Sequence, residues 1–325
     1  MNATEEAVME ESPAAEARTI VVGYDGSPVA RAALGYAAGR TREGDRLIVT
    51  YAYSAPPEWI GSPEWDDSIN MDRDRGQQLL NDLPPDVLAA ADVERELVSG
   101  PPAEVLARMA EEREAEEIVV GSRGFGPFRA TLGSVAHALL HHASRPVVVL
   151  PARMLGSETG GRNPHRIVVG YDGSPTGREA LSHAAYRAGP EGELIAVYAY
   201  RPPFEYYDTP FVEPALRRNR EAAEAALDGI TGDMVAGLSV RKVSLETAPA
   251  QAVVNVAQNE QAAEIVVGSR GLGRFRAALG SVSHAVLHEA DRPVVVVPHE
   301  PTEEEAEMAE RVRRARNIRV GHTRI

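Results

Sequence analysis

The chain has 325 residues, 43% of them hydrophobic and 25% charged, a soluble globular composition long enough for two domains. Its formal net charge of −14 repels nucleic acid and anionic membranes, so neither is an expected partner. The absence of cysteine removes disulfide scaffolds, thiolate catalysis and cysteine metal sites, and with only 5% aromatic residues the core must be built from Val, Ile, Leu and Ala.

Residues 1–17 are acidic and Ala-rich, with no basic stretch leading into an apolar one. They read as a disordered leader and not as a signal peptide. No apolar run approaches the ~18 residues that span a bilayer, and the expected location is the cytoplasm. Residues 19–23 are a β-branched run ending in Gly and predict a buried strand. Asp25-Gly-Ser-Pro28 follows, with Ser27 as cap and Pro28 as first residue of a helix over 30–40. A second strand is expected over 47–53 and a long loop over 54–67, which holds four Pro or Gly residues and both Trp59 and Trp65. A helix over 69–83, a strand over 93–98 and a helix over 102–113 come next. A strand over 117–121, a helix over 134–143 and a strand over 146–150 complete the unit. Strands alternating with helices predict a parallel sheet covered on both faces. The unbroken apolar runs Ile118-Val-Val and Val147-Val-Val agree, because such strands are buried on both sides.

The whole unit is then repeated. Ile20-Val-Val-Gly-Tyr-Asp-Gly-Ser-Pro28 recurs as Ile167-Val-Val-Gly-Tyr-Asp-Gly-Ser-Pro175, an offset of 147 residues. Residues 118–151 recur as 265–298 at the same offset, with 26 of 34 positions identical. The chain is a duplication. Its expected organisation is a domain over 18–151, a linker over 152–164, a second domain over 165–298 and a charged tail over 299–325. A single ten-stranded or barrel fold is the disfavoured alternative, given the linker and the complete five-strand unit in each copy. In the tail, Glu307 and Arg311 at i,i+4 suit a solvated helix.

The segment that carries chemistry is Gly121-Ser-Arg-Gly124, eight residues, then Gly133-Ser134-Val135, repeated as Gly268-Ser-Arg-Gly271, eight residues, then Gly280-Ser281-Val282. Glycines let backbone approach a ligand closely. The amides at the start of the following helix attract anions. Ser134 adds a hydroxyl, and Arg123, Arg129, Arg270, Arg274 and Arg276 add cations, together a phosphate cradle. The competing explanation is a tight strand–loop–helix connection whose glycines serve geometry alone. In open α/β sheets a ligand sits outside the carboxyl ends of the strands, where Asp25 and Ala52 also fall.

Strand–Asp–Gly–Ser at the start, with Gly-x-x-Gly…Gly-Ser-Val and Arg-Pro-Val-Val-Val at the end, resembles the universal stress protein family over both copies. The resemblance implies two tandem five-stranded parallel-sheet α/β domains with helices on both faces, Rossmann-like and adenine-nucleotide alpha hydrolase-like. One branch of that family binds ATP. By resemblance, the nucleotide contacts fall on Asp25, Ala52, Gly121, Arg123, Gly124, Gly133, Ser134 and Val135. In the second copy they fall on Asp172, Ala199, Gly268, Arg270, Gly271, Gly280, Ser281 and Val282. The family's second spacing is nine residues and here it is eight in both copies, a departure that bears on whether Gly133 and Gly280 keep their place. The expected cofactor is ATP, with Mg2+ as its companion ion. The expected role is a non-enzymatic stress-response or signalling module. A nucleotide-free scaffolding or chaperone-like protein and a slow ATPase are the alternatives. Domain pairing within the chain, a homodimer and an unidentified protein partner are further expectations.

Other residues have plainer readings. Asp25 and Asp172 suit a turn as well as a nucleotide contact. His137 with His141, and His284 with His288, have metal-ligand spacing but no third ligand in view, and read as packing or surface histidines. Trp59 and Trp65 in one copy, and Phe204, Tyr206 and Tyr207 in the other, fit either stacking on a base or covering the sheet. No Walker-type phosphate loop, nucleophile elbow or carboxylate cluster for fast phosphoryl transfer is present.

Overall fold

A computed structural model describes residues 17–54, 64–123, 132–156, 162–201, 210–270 and 279–299. Trp59, Phe204, Tyr206, Tyr207, Arg129, Arg274 and Arg276 lie outside the described residues, as do nearly all of the leader and tail.

In the first half, β1 (Thr19–Gly23) leads to α1 (Pro28–Ala38), β2 (Arg46–Tyr53) and α2 (Glu64–Asn81). Then come α3 (Pro85–Ala90), β3 (Asp92–Ser99), α4 (Pro102–Glu112), β4 (Glu117–Gly121), α5 (Ser134–His142) and β5 (Val147–Leu150). The second half repeats this with β6 (Asn163–Gly170), α6 (Pro175–Ala188), β7 (Glu193–Tyr200) and α7 (Val212–Asp228). It closes with β8 (Val240–Glu246), α8 (Pro249–Asn259), β9 (Ala262–Gly268), α9 (Ser281–Glu289) and β10 (Val294–Val297). Three features differ from expectation, the first being that α2 begins at Glu64, inside the stretch 54–67 read as loop. The short helix α3 was not foreseen; Pro85 stands at its first position, where the fixed φ of proline suits a helix start. Strand β6 pairs Asn163 with Ala262, so order reaches two residues into the stretch read as linker.

Within each half the strands are parallel, in the order β3-β2-β1-β4-β5 and its equivalent β8-β7-β6-β9-β10. The two five-stranded units expected from the sequence are present, and they join through a shared sheet, the ten-stranded arrangement that the sequence reading disfavoured. β5 and β10 pair antiparallel, Val148 opposite Val295, and fuse them into one ten-stranded sheet. Two apolar layers run the length of this sheet. On one face α1 and α6 bury Leu34, Ala37, Leu181 and Ala184 against Val22, Val148, Val169 and Val295. On the other, α4, α5, α8 and α9 bury Leu106, Leu139, Val253 and Val286 against Ile118, Val149, Ile265 and Val294. The outer strands β3 and β8 carry exposed charge, including Arg95, Arg241 and Lys242, which guards the edges against further pairing.

Each first helix starts as the sequence predicts. Ser27 Oγ accepts from the Ala30 amide at 3.2 Å, and Ser174 Oγ from the Gly177 amide at 3.0 Å. No helix among the described residues is long and apolar enough to cross a membrane.

Candidate functional site

In each half the chain turns outward from β1 to one side and from β4 to the other, so the strand order reverses between these two neighbours. Crevices in α/β sheets open at this point, outside the carboxyl ends of the strands. A cavity of 530 Å³ lies there in the first half and one of 670 Å³ in the second.

The first cavity is lined by Asp25, Ala52, Gly121, Arg123, Gly133, Ser134 and Val135. The second is lined by Asp172, Ala199, Gly268, Arg270, Gly280, Ser281 and Val282. Fourteen of the sixteen expected residues thus surround two equivalent cavities; Gly124 and Gly271 lie outside the described residues.

The glycine loop is closed at its base by one backbone bond. The Gly133 amide donates to Ser122 O at 2.7 Å, and the Gly280 amide to Ser269 O at 2.7 Å. That bond fixes the second glycine against the end of β4, and its counterpart against the end of β9. Helix α5 begins at Ser134, and its first intrahelical bond runs from His137 N to Gly133 O. The amides of Ser134 and Val135 therefore have no intrahelical acceptor and lie at the cavity wall. With Arg123 also among the lining residues, this end of the cavity suits an anion.

Several residues also have structural duties. A Cβ at Gly121 would sit 2.9 Å from Val29 Cγ1, and one at Gly268 2.8 Å from Thr176 Cγ2, so the glycine lets the first helix press on the strand. Asp25 Oδ1 accepts from the Ser27 amide at 2.9 Å, and Asp172 Oδ1 from the Ser174 amide at 3.0 Å. Each carboxylate shapes the turn while also facing the cavity. Ser122 and Ser269, inside the Gly-Ser-Arg-Gly runs, are buried; their hydroxyls accept from the Ala152 and His299 amides.

The lining includes residues the sequence reading passed over. Tyr24 and Tyr171 follow the first strand, and Tyr51 and Tyr198 lie next to Ala52 and Ala199. Their identity in both copies was the available signal. Tyr51 donates to Asp72 Oδ1 at 2.7 Å; burial and then this carboxylate push its phenol well up from the ordinary value. Burial and then Asp172 raise the Tyr198 phenol. Leu106 and Ala30 of the first cavity are replaced by the smaller Val253 and Gly177 in the second. His284 lines the second cavity, but among the described residues no group of three or more His, Cys, Asp or Glu is gathered to hold a metal ion.

A tandem α/β protein with one crevice at the switch point of each half is the class that fold and site define. The universal stress protein family model matches residues 16–151 and again 164–298. The chain belongs to the universal stress protein family. A universal stress protein of Mycobacterium tuberculosis is 30% identical over 314 residues, covering 87% of this chain and 96% of that protein. One from Mycolicibacterium smegmatis is 36% identical over 193 residues, covering 57% of this chain and 62% of that protein. Among solved structures, a universal stress protein from Archaeoglobus fulgidus shares the fold at a TM-score of 0.62 and 22% identity, covering 86% of this chain and 96% of that one.

Proposed function

We propose that each half of the chain binds an adenine nucleotide, ATP with its Mg2+, in its cavity. Occupancy then sets the conformation or partner preference of a non-enzymatic stress-response module in the cytoplasm, where ATP is abundant. Residues 18–151 and 163–298 are the two binding units, and 152–162 joins them. The observation that carries this reading is the division of each cavity into two chemically distinct ends. Helix-start amides and an arginine stand at one end, suited to phosphates. At the other, an aspartate and small or aromatic residues from the ends of the first two strands suit a nucleoside, with Asp25 or Asp172 placed to accept from hydroxyls.

The test is to denature the purified protein, identify released nucleotide by mass spectrometry, and titrate ATP into the stripped protein by calorimetry. Two ATP per chain are expected. Arg123→Ala with Ser134→Ala removes one, and Arg270→Ala with Ser281→Ala the other. No released nucleotide and no heat at millimolar ATP overturns the reading in favour of a nucleotide-free scaffold. Multiple-turnover phosphate release makes the protein an ATPase.

A further inference from the structure

Helix α9 carries a pair of imidazoles that the nucleotide reading leaves unused. His284 and His288 are one turn apart, their Nε2 atoms are 3.3 Å apart, and their ring centroids are 4.5 Å apart at 60°. Helix α5 repeats the arrangement. His137 and His141 lie with centroids 4.6 Å apart at 61°.

A tetrahedral ion with zinc–nitrogen bonds of about 2.0–2.1 Å holds two imidazole nitrogens roughly 3.3 Å apart. The α9 pair already has this bite. As a plain hydrogen bond the same contact is longer than the usual 2.7–3.2 Å for nitrogen donors, and it requires one ring to carry its proton on Nε2. His284 of this pair lines the second cavity near Gly280 and Ser281. An ion on the pair would stand at the lip of that cavity, with coordination positions open to water. Imidazole nitrogen favours zinc, nickel, cobalt or copper over the oxygen-seeking Mg2+ and Ca2+.

We propose that His284 and His288 chelate one divalent transition-metal ion of the zinc class through their Nε2 atoms, and that His137 and His141 form the equivalent site in the first half. This holds whether or not a nucleotide binds; only completion of the coordination shell by a phosphate would depend on the nucleotide reading.

The experiment titrates the full chain with Co2+ alone, following its visible absorption and, by calorimetry, its stoichiometry. Two ions per chain are expected, unaffected by excess Mg2+. His288→Ala should lose one equivalent, and His288→Ala with His141→Ala both, each site weakening by at least ~10-fold, the loss seen even when only an outer-sphere partner of a ligand is removed. Circular dichroism confirms that the variants are folded. Uptake unchanged in the double variant would put the ions on other histidines. No uptake by the wild type would make the pairs hydrogen-bonded histidines only. Either result overturns the proposal, and neither bears on ATP binding.

Discussion

Arg187 and Glu117 come from opposite halves of the duplication and form an ion pair whose side chains are only 1% and 2% exposed. The same guanidinium donates from Nε to Glu264 Oε2 at 2.9 Å and from Nη2 to the Tyr36 hydroxyl at 2.7 Å. Glu264 Oε1 in turn accepts from Tyr36 at 2.8 Å and from Arg40 Nη1 at 2.6 Å. At the repeat offset, Arg40 corresponds to Arg187 and Glu117 to Glu264. The duplication thus brought two copies of each charge together, and Arg187 took the centre.

Removing that centre should be costly. Arg187→Met leaves two buried carboxylates facing each other, and breaking a buried ion pair typically costs 3–5 kcal/mol. Urea unfolding should show a loss on the order of 4 kcal/mol for Arg187→Met. The peripheral Arg40→Met should lose clearly less, since Arg40 is 22% exposed and Arg187 still holds Glu264. Equal losses would mean that the cluster has no centre.

The cluster also sets an acid limit. Burial alone would raise the Glu264 carboxyl, but Arg187 and Arg40 outweigh it and bring the group down to about 2. His183, equivalent to Tyr36, is pushed down to about 3 by burial and then by Arg187, with Glu264 opposing and Arg40 adding. Its Nε2 is buried without a partner. Both groups are deprotonated in the fold, and the unfolded chain takes up their protons first. The His183 contribution is therefore lost as pH falls from its ordinary 6.5 toward 3, and the Glu264 contribution as pH falls from 4.5 toward 2. Each bound proton is worth about 1.4 kcal/mol per pH unit. Unfolding free energies measured across pH should fall by about that slope per unit from 6.5 to 4.5, and more steeply below. His183→Leu should flatten the first segment and leave the second. An unchanged profile would show that His183 is not held neutral.

Glycine and serine variants of the cradle should separate. A Cβ at Gly133 would stand 3.1 Å from Ser122 O and 3.3 Å from Arg123 Cα, both backbone atoms that do not yield easily. Gly121→Ala presses on Val29 in the same way. Both should cost about 1–3 kcal/mol of stability, the usual penalty for overpacking, so lost binding in them would be confounded with lost packing. Ser134 is exposed. Ser134→Ala should stay within about 0.5 kcal/mol of wild type in stability. It should nevertheless weaken ATP at one site by ~10-fold or more, since hydrogen bonds to charged groups are worth about 1.5–3 kcal/mol. An affinity equal to wild type would remove the Ser134 hydroxyl from the cradle.

The strands and the two cavities were legible because their signals are local. Val-rich runs state burial, and Gly-Ser-Arg-Gly states a strand end. What was not legible depends on partners far away in sequence. β5 is the run Val147-Val-Val-Leu150 and β10 is Val294-Val-Val-Val297, each buried throughout. In a lone five-stranded sheet both would be exposed apolar edges, a liability that chains avoid. That absence of edge protection was the missed sign that the halves join through these two strands. Glu117 opens β4 and Glu264 is the third residue of β9, both buried, and a charge in that setting implies a partner. No local pattern says that the partner, Arg187, lies on a helix of one particular half. The cavity tyrosines were visible as repeated residues, but nothing in the spacing distinguishes Tyr51, whose ring faces α2, from an ordinary core residue.

Tyr51 leads to a test with an internal control. Asp72 on α2 accepts from the Tyr51 hydroxyl through Oδ1 and from the Ser54 amide through Oδ2 at 3.1 Å, tying α2 across the carboxyl end of β2. A Cβ at Gly76, one turn further along, would collide with the Tyr51 ring, so helix and tyrosine are in direct contact. The equivalent of Asp72 in the second half is Asn219, which instead donates to Arg201 O at 3.4 Å. Asp72→Ala should cost about 1–3 kcal/mol, because it orphans a buried phenol and frees an amide. It should also loosen one wall of the first cavity alone. Calorimetry should then find one of two ATP sites weakened and the other at wild-type affinity, while Asn219→Ala leaves both nearly unchanged. If both sites weaken in Asp72→Ala, the two cavities are coupled through the shared ten-stranded sheet and not independent. If neither weakens, the Asp72 tie supports the fold without shaping the site.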